Sequence, residues 1–166
     1  MNPLKYFTRI KVIQALAFLL IPVILMLVNG GILKSISAYA NYIPMTFALT
    51  LSLAGALFMY DGFVERSRWY NMLLALGLFG IVLFNHLSFP VIHYIFASAF
   101  FLGSLFCMIY FSSKKERWFK VIFSIFVLFG MLGCFAFNWY SIFWAEWIGM
   151  VPISTHFILE ATGKID

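Results

Sequence analysis

The sequence predicts an all-α integral membrane protein, a bundle of six transmembrane helices whose N-terminus and C-terminus are both cytoplasmic. Hydrophobic residues make up 64% of the 166 residues, and charged residues only 10%. The mean hydropathy of +0.99 exceeds what a soluble protein of this length can bury in one core. Apolar runs of about 20 residues, the length that crosses the hydrocarbon of a bilayer, recur along the chain. We therefore expect residues 1–166 to form a single transmembrane domain.

Six apolar runs account for almost the whole chain and leave no room for a soluble domain. The predicted spans cover residues of about 11–29, 43–61, 70–87, 91–112, 119–138 and 142–161. With a cytoplasmic N-terminus, ten of the eleven Lys and Arg residues lie inside, and Lys34 alone lies outside. Because membrane proteins keep cations on the cytoplasmic side, this distribution favours an even number of spans. The net charge of +5 then reflects orientation in a membrane, and we expect no nucleic-acid partner.

The first span also has features of a cleaved signal peptide. Lys5, Arg9 and Lys11 precede its apolar run, and "AYA" at 38–40 is an Ala-x-Ala site. However, about ten residues separate the end of the run from that site, which is longer than a normal cleavage region. Its removal would leave five spans with the termini on opposite sides. We therefore expect the first span to remain in the protein.

Prolines, a glycine and aromatic residues mark the limits of the later spans. Pro44 and Pro90 stand near helix starts, where a missing N–H costs nothing. Gly62 follows the second span, where a left-handed helix cap is common. Aromatic side chains prefer the depth of the lipid headgroups, and they flank the third, fifth and sixth spans at Trp69, Tyr70, Trp118, Trp139 and Tyr140. The loops near 30–42, 86–91 and 138–142 are then external.

Two histidines and a glutamate lie near the predicted outer surface. Pro90 separates His86, at the end of the third span, from His93, in the first turn of the fourth. Glu146 lies one turn into the sixth span. Ionisable groups at membrane depth are costly and normally face the interior of the bundle. We predict that Glu146 and His93, supported by Asn85 and His86, form an outer pocket that binds the headgroup of a lipid or similar amphiphile.

Aromatic neighbours of these residues complete the predicted ligand-binding site. Tyr94, Trp144 and Trp147 are expected to form apolar walls beneath the headgroup, as in most small-molecule pockets. Two alternatives stay open, because the polar residues could be interfacial and hydrated by headgroup water, or could form a metal or catalytic site. We expect the middle of the bundle to contain almost no polar groups. We assign no catalytic residue, metal or other cofactor.

The sequence lacks the motifs of several common enzyme classes. It has no Gly-rich phosphate loop, nucleophile elbow or zinc-protease helix. Cys107 and Cys134 lie within spans and without metal-ligand spacing, so they are expected to be packed thiols. A haem held between two helices is disfavoured, because His93 and His156 lie on opposite sides of the predicted midplane.

Four short segments resemble a known pattern. These are "SISAY" after the first span, "FMYDG" closing the second, "HYIFASAFF" opening the fourth and "AEWIG" opening the sixth. They are similar to bacterial six-span proteins of unknown function, which are distantly similar to the family of the damage-regulated autophagy modulator and the FGF-receptor-activating protein. The resemblance spans most of the chain. It implies a six-helix bundle and a loose connection with lipid and membrane homeostasis.

A second resemblance is to the superfamily of alkaline ceramidases and adiponectin receptors. It implies seven spans and a zinc site of one serine, one aspartate and three histidines, for which Asp61, Ser35 or Ser37 and the three histidines are the candidates. This chain has one span fewer, lacks the paired His-x-x-x-His of the last helix, and places its candidates in both leaflets. The zinc hydrolase is therefore the weaker of the two resemblances.

Three functions are consistent with the sequence. The first is a lipid-binding protein of a bacterial cytoplasmic membrane, with membrane lipid as its ligand. The second is an intramembrane metal-dependent lipid hydrolase, and the third is a structural subunit that associates with itself or with another membrane protein. We expect the first, because the outer polar residues are the strongest functional signal in the sequence.

Overall fold

The computed structural model describes residues 3–64, 68–110 and 116–162. All regular secondary structure in these residues is helical. The helices are α1 (Pro3–Asn29), α2 (Tyr39–Tyr42), α3 (Pro44–Val64), α4 (Tyr70–Leu83), α5 (Pro90–Tyr110), α6 (Arg117–Phe135) and α7 (Ile142–Ala161). The predicted all-α class is therefore confirmed for the described part of the chain.

Five of these helices are long and apolar enough to cross a membrane. Their spanning parts are Ile10–Asn29, Pro44–Val64, Pro90–Tyr110, Arg117–Phe135 and Ile142–Glu160. The remaining long helix, α4, is apolar but has only 14 residues, which gives a length of about 21 Å at 1.5 Å per residue. The helices support a membrane protein, while the count of six spans and the orientation of the termini stay predictions.

The prediction that the third span continues to residue 87 is wrong, because α4 ends at Leu83. The chain turns there: the side-chain oxygen of Asn85 accepts the Leu87 N–H at 2.8 Å, and the Asn85 carbonyl accepts the Phe89 N–H at 2.8 Å. Asparagine stabilises such turns by bonding backbone two residues ahead. His86 consequently lies in the turn after the helix and not at the end of the span.

The end of the fifth span was also predicted too late, at residue 138 instead of Phe135. Asn138 has a φ of 53°, in the left-handed region that asparagine tolerates better than most residues. The N–H of Asn138 bonds the Cys134 carbonyl at 3.1 Å, which is the hydrogen bond typical of a left-handed helix cap. Apolar residues continue through this cap, so hydropathy alone does not show where the helix ends.

Consecutive long helices run in opposite directions. Gly62 lies against Met72 and Gly55 against Phe79, so the numbering rises along α3 while it falls along α4. Contacts between α1 and α3, between α4 and α5 and between α6 and α7 show the same antiparallel order. Helix α1 also packs on α7. We call the end that carries residues 30–43, 84–89 and 136–141 the outer end, and the opposite end the inner end.

Four phenylalanines form the centre of the bundle. The ring of Phe58 contacts the rings of Phe18, Phe100 and Phe157 with centroid separations of 5.9, 6.0 and 5.1 Å. Phe18 and Phe100 also contact each other at 5.4 Å. Edge-to-face contacts of this kind are favourable beyond their buried area. This phenylalanine cluster joins α1, α3, α5 and α7.

Gly80 allows the close approach of α4 and α5. A Cβ atom at Gly80 would overlap the ring of Phe96 near its attachment to the backbone, where the ring cannot move away easily. We expect Gly80→Ala to lower the free energy of unfolding by about 1–3 kcal/mol, the usual cost of overpacking. Gly103→Ala is the control, since its Cβ would meet only a methyl group of Leu74 at 3.3 Å. Equal unfolding midpoints for the two variants in detergent micelles would contradict this close contact.

Candidate functional site

The outer loop, residues 30–38, folds back onto the start of α7. The Phe143 N–H donates to the Lys34 carbonyl at 2.9 Å, and the Ile36 N–H donates to Glu146 Oε2 at 2.6 Å. The hydroxyl of Tyr39 donates to the Gly31 carbonyl at 2.8 Å, which closes the loop on itself. Two hydrogen bonds, one to the backbone and one to a side chain of α7, therefore fix the position of a segment that has little regular structure.

Glu146 is partly buried at the fifth position of α7. Its Oε2 atom accepts the hydrogen bond from Ile36, while Oε1 accepts no hydrogen bond from the residues that the structure describes. A carboxylate near a helix N-terminus is also favoured by the helix dipole. The residue thus has a structural role in holding the loop and keeps one oxygen for another partner.

His93 is buried in the first turn of α5, with only 3% of its surface exposed. Its Nδ1 atom lies 2.7 Å from the carbonyl oxygen of Phe84. Because a carbonyl can only accept, Nδ1 carries the proton, and in the neutral ring Nε2 is then a hydrogen-bond acceptor. The turn that ends α4 therefore fixes the tautomer of this histidine.

Glu146 and His93 line the same cavity, which we call the outer cavity. Its volume is about 40 Å³, and it is partly open to the surface. The only other polar side chain among its described lining residues is that of Ser37. The rest of the lining is apolar and comes from five helices and the outer loop, with Phe18, Phe47, Phe100 and Phe101 as its aromatic members. The arrangement is an apolar cavity with three polar side chains in its wall.

The other five predicted site residues are described by the structure but lie outside this lining. Asn85 donates from its amide to the side chain of Asn41 at 2.9 Å. His86 has its ring 5.8 Å from that of His93. Tyr94 is 54% exposed, and Trp144 stacks on Trp147 at 5.5 Å. The phenylalanines in the wall of the outer cavity come from α1, α3 and α5. That Tyr94, Trp144 and Trp147 contact a bound headgroup stays a prediction.

The inner half of the bundle contains buried polar side chains that the predicted outer site does not include. Nine buried polar residues, the inner polar layer, lie below the outer cavity: Lys11, Gln14, Asp61, Asn71, Ser104, Lys120, Ser124, Ser154 and His156. Lys11 Nζ lies 3.8 Å from Asp61 Oδ1, and the Asn71 amide donates to Asp61 Oδ2 at 2.6 Å. From the sequence, Lys11 and Lys120 were predicted only to lie on the cytoplasmic side. Lys120 and Ser124 are four residues apart in α6 and therefore lie on the same face of that helix. This spacing is the signal in the sequence that could have indicated a buried polar face.

The described residues contain no group of three or more His, Cys, Asp and Glu side chains that could hold a metal ion. The candidates of the zinc-hydrolase comparison are divided between the two ends, since His93 lines the outer cavity and Asp61 belongs to the inner polar layer. Both cysteines are free thiols.

One protein family matches the chain. The model of a family of unknown function, DUF7103, matches residues 20–161, which include every long helix except residues 3–19 of α1. No curated protein and no solved structure matches the chain. The match agrees with the resemblance to proteins of unknown function, and it does not bear on the resemblance to the autophagy-modulator family.

Proposed function

Since the chain belongs to DUF7103, a family of unknown function, we propose from its geometry that it is a membrane protein that binds a lipid or other amphiphile in the outer cavity. The observation that carries this proposal is the composition of one cavity wall. Apolar side chains from five helices surround the space, and Ser37, His93 and Glu146 supply its polar groups. Small-molecule sites commonly combine an apolar wall with a few convergent polar groups.

The polar groups favour a ligand that can donate a hydrogen bond. Glu146 offers Oε1, because Oε2 is engaged with Ile36. His93 offers the acceptor Nε2, because Nδ1 is engaged with Phe84. A hydroxyl or amine on the amphiphile would suit both acceptors, and an amine would also balance the charge of the carboxylate. We therefore propose an amphiphile whose polar group is a hydroxyl or an amine.

The size of the cavity limits how much of the ligand it encloses. A volume of about 40 Å³ holds only a few water-sized groups, at about 10–15 Å³ for each. A complete lipid does not fit. We propose that the cavity takes a short apolar segment together with the polar group, and that the remaining chain lies outside between the helices and the bilayer.

We propose that α4 also spans the membrane, giving six spans with both termini in the cytoplasm of a bacterial cell. The opposite directions of consecutive helices support this topology, as does the distribution of Lys and Arg. A cysteine at Ser88, in a chain without Cys107 and Cys134, is expected to react with a membrane-impermeant maleimide added outside the cell. Reaction only after the membrane is opened would contradict the topology.

Filling the outer cavity tests the binding function. Ala97 lines the cavity, whereas Ala99 in the same helix is exposed. We expect Ala97→Leu to lower the amount of copurified amphiphile by about tenfold, equivalent to roughly 1.4 kcal/mol of binding, because the added side chain occupies the space. Ala99→Leu should leave that amount unchanged. The measurement is quantitative lipid mass spectrometry on protein purified in a mild detergent.

The same preparations separate the binding function from its alternatives. Equal lipid in the wild type and in both variants would exclude the outer cavity as the binding site. Stoichiometric zinc in the wild type would favour the hydrolase instead. A copurified protein partner without a defined lipid would favour the structural subunit.

A further inference from the structure

A second cavity lies in the inner half of the bundle, between α4, α5 and α7. This inner cavity has a volume of about 10 Å³. Its wall contains the side chains of Tyr70, Ser104, Cys107 and His156 together with four apolar residues. Phe157 closes it toward the centre of the bundle, while Phe18 and Phe100 line the outer cavity. The phenylalanine cluster therefore separates the two cavities.

His156 makes this cavity chemically unusual. The residue is 6% exposed, and its Nδ1 atom has no hydrogen-bond partner among the described residues. Most buried polar side-chain atoms in proteins bond either to protein or to ordered water. A buried ring nitrogen in a cavity wall therefore indicates that the cavity contains a partner.

The volume and the other polar groups identify the partner. A space of about 10–15 Å³ is what a single water requires, so an organic ligand or a hydrated ion is too large. The Ser104 hydroxyl donates to the Phe100 carbonyl at 2.7 Å, which leaves the lone pairs of its oxygen as acceptors. A water can donate to Ser104 and bond to His156 from the same position in the cavity.

We propose that the inner cavity is a binding site for one ordered water molecule, which links His156 of α7 to Ser104 of α5. The water supplies the buried imidazole with a hydrogen bond inside the bundle. The same water also hydrates the inner polar layer. It is separated from the outer cavity by the phenylalanine cluster. The proposal is independent of amphiphile binding, because the two cavities share no lining residue.

Radiolytic footprinting of the full-length protein tests this proposal, because hydroxyl radicals formed from bound water oxidise the side chains beside it. Met108 is buried and lines the inner cavity, as does the partly exposed Cys107, whereas the buried Cys134 does not line it. We expect Cys107 and Met108 to be oxidised several-fold faster than Cys134. In His156→Leu, which removes the polar group at similar volume, both rates should fall toward that of Cys134.

Two further variants keep the test decisive if His156→Leu does not fold. His156→Gln retains a group that can bond water, and it should keep the fast oxidation of Met108. Cys107→Leu fills the cavity and leaves His156 in place, and it should slow the oxidation of Met108. Oxidation of Cys107 and Met108 no faster than that of Cys134 in the wild type, or a Met108 rate unchanged in Cys107→Leu, would overturn the proposal.

Discussion

Replacing Asp61 with leucine is expected to lower the free energy of unfolding by about 3–5 kcal/mol, the usual cost of removing one partner of a buried ion pair. Asp61 accepts a hydrogen bond from Asn71 at 2.6 Å and lies 3.8 Å from Lys11. All three side chains are buried where α1, α3 and α4 meet. The substitution would remove the carboxylate that interacts with the Lys11 ammonium group and the Asn71 amide, and both groups would stay buried among apolar side chains.

The double variant Lys11→Met/Asp61→Leu is the control for this effect. Replacing a buried pair by apolar residues of similar volume is often neutral, so the double variant should recover most of the stability that Asp61→Leu loses. Unfolding in mixed micelles is measured for the wild type, for Lys11→Met and Asp61→Leu alone, and for the double variant. If the double variant is as unstable as the sum of its single changes, Lys11 and Asp61 are not coupled and the ion pair has no energetic role.

Replacing Glu146 with alanine is expected to release the outer loop from α7. Ile36 would lose the acceptor of its N–H, which costs about 1–3 kcal/mol for a buried donor. At about 1.4 kcal/mol for each factor of ten, the exchange of the Ile36 amide with deuterium should accelerate between severalfold and about a hundredfold. The loop would also lose its fixed position beside the outer cavity, because only the hydrogen bond from Phe143 to Lys34 would remain of the two.

Glu146→Gln separates the structural role of this residue from its proposed role in binding. The amide oxygen of glutamine can still accept from Ile36, so the exchange rate at Ile36 should stay near that of the wild type. The charge is lost, and binding of an amphiphilic amine should weaken. Fast amide exchange in both variants would show that the loop depends on the charge, and unchanged exchange in Glu146→Ala would show that the hydrogen bond does not hold the loop.

The helices were predictable because a helix that spans a membrane needs a run of about 20 apolar residues, which is easily recognised in a sequence. Runs of apolar residues fixed the approximate limits of α3, α5 and α7, and prolines marked the starts of α3 and α5 at Pro44 and Pro90. Helix ends without such marks were missed. The turn at Asn85 and the left-handed cap at Asn138 depend on particular hydrogen bonds, and hydropathy contains no information about them.

The candidate site was predictable only in part, for a related reason. The depth of Glu146 and His93 follows from their distance along a helix, and both line one cavity. The cavity wall depends on which helix faces pack together, and nothing distinguishes Phe47 or Phe101 from other phenylalanines of the sequence. The inner polar layer was missed because Lys11 and Lys120 were counted only as cytoplasmic cations that orient the chain, although packing buries both.

Photolabelling tests amphiphile binding in the outer cavity most directly. The probe is a lysophospholipid with an ethanolamine headgroup and a diazirine on the part of its chain next to the headgroup, added to the protein in micelles with or without excess unlabelled lipid. If the amphiphile binds in the outer cavity, adducts should form within residues 97–101 and 146–150, on side chains that line the cavity, and they should be lost under competition. Adducts confined to lipid-facing residues such as Ile95 and Leu102, with no effect of the competitor, would contradict it.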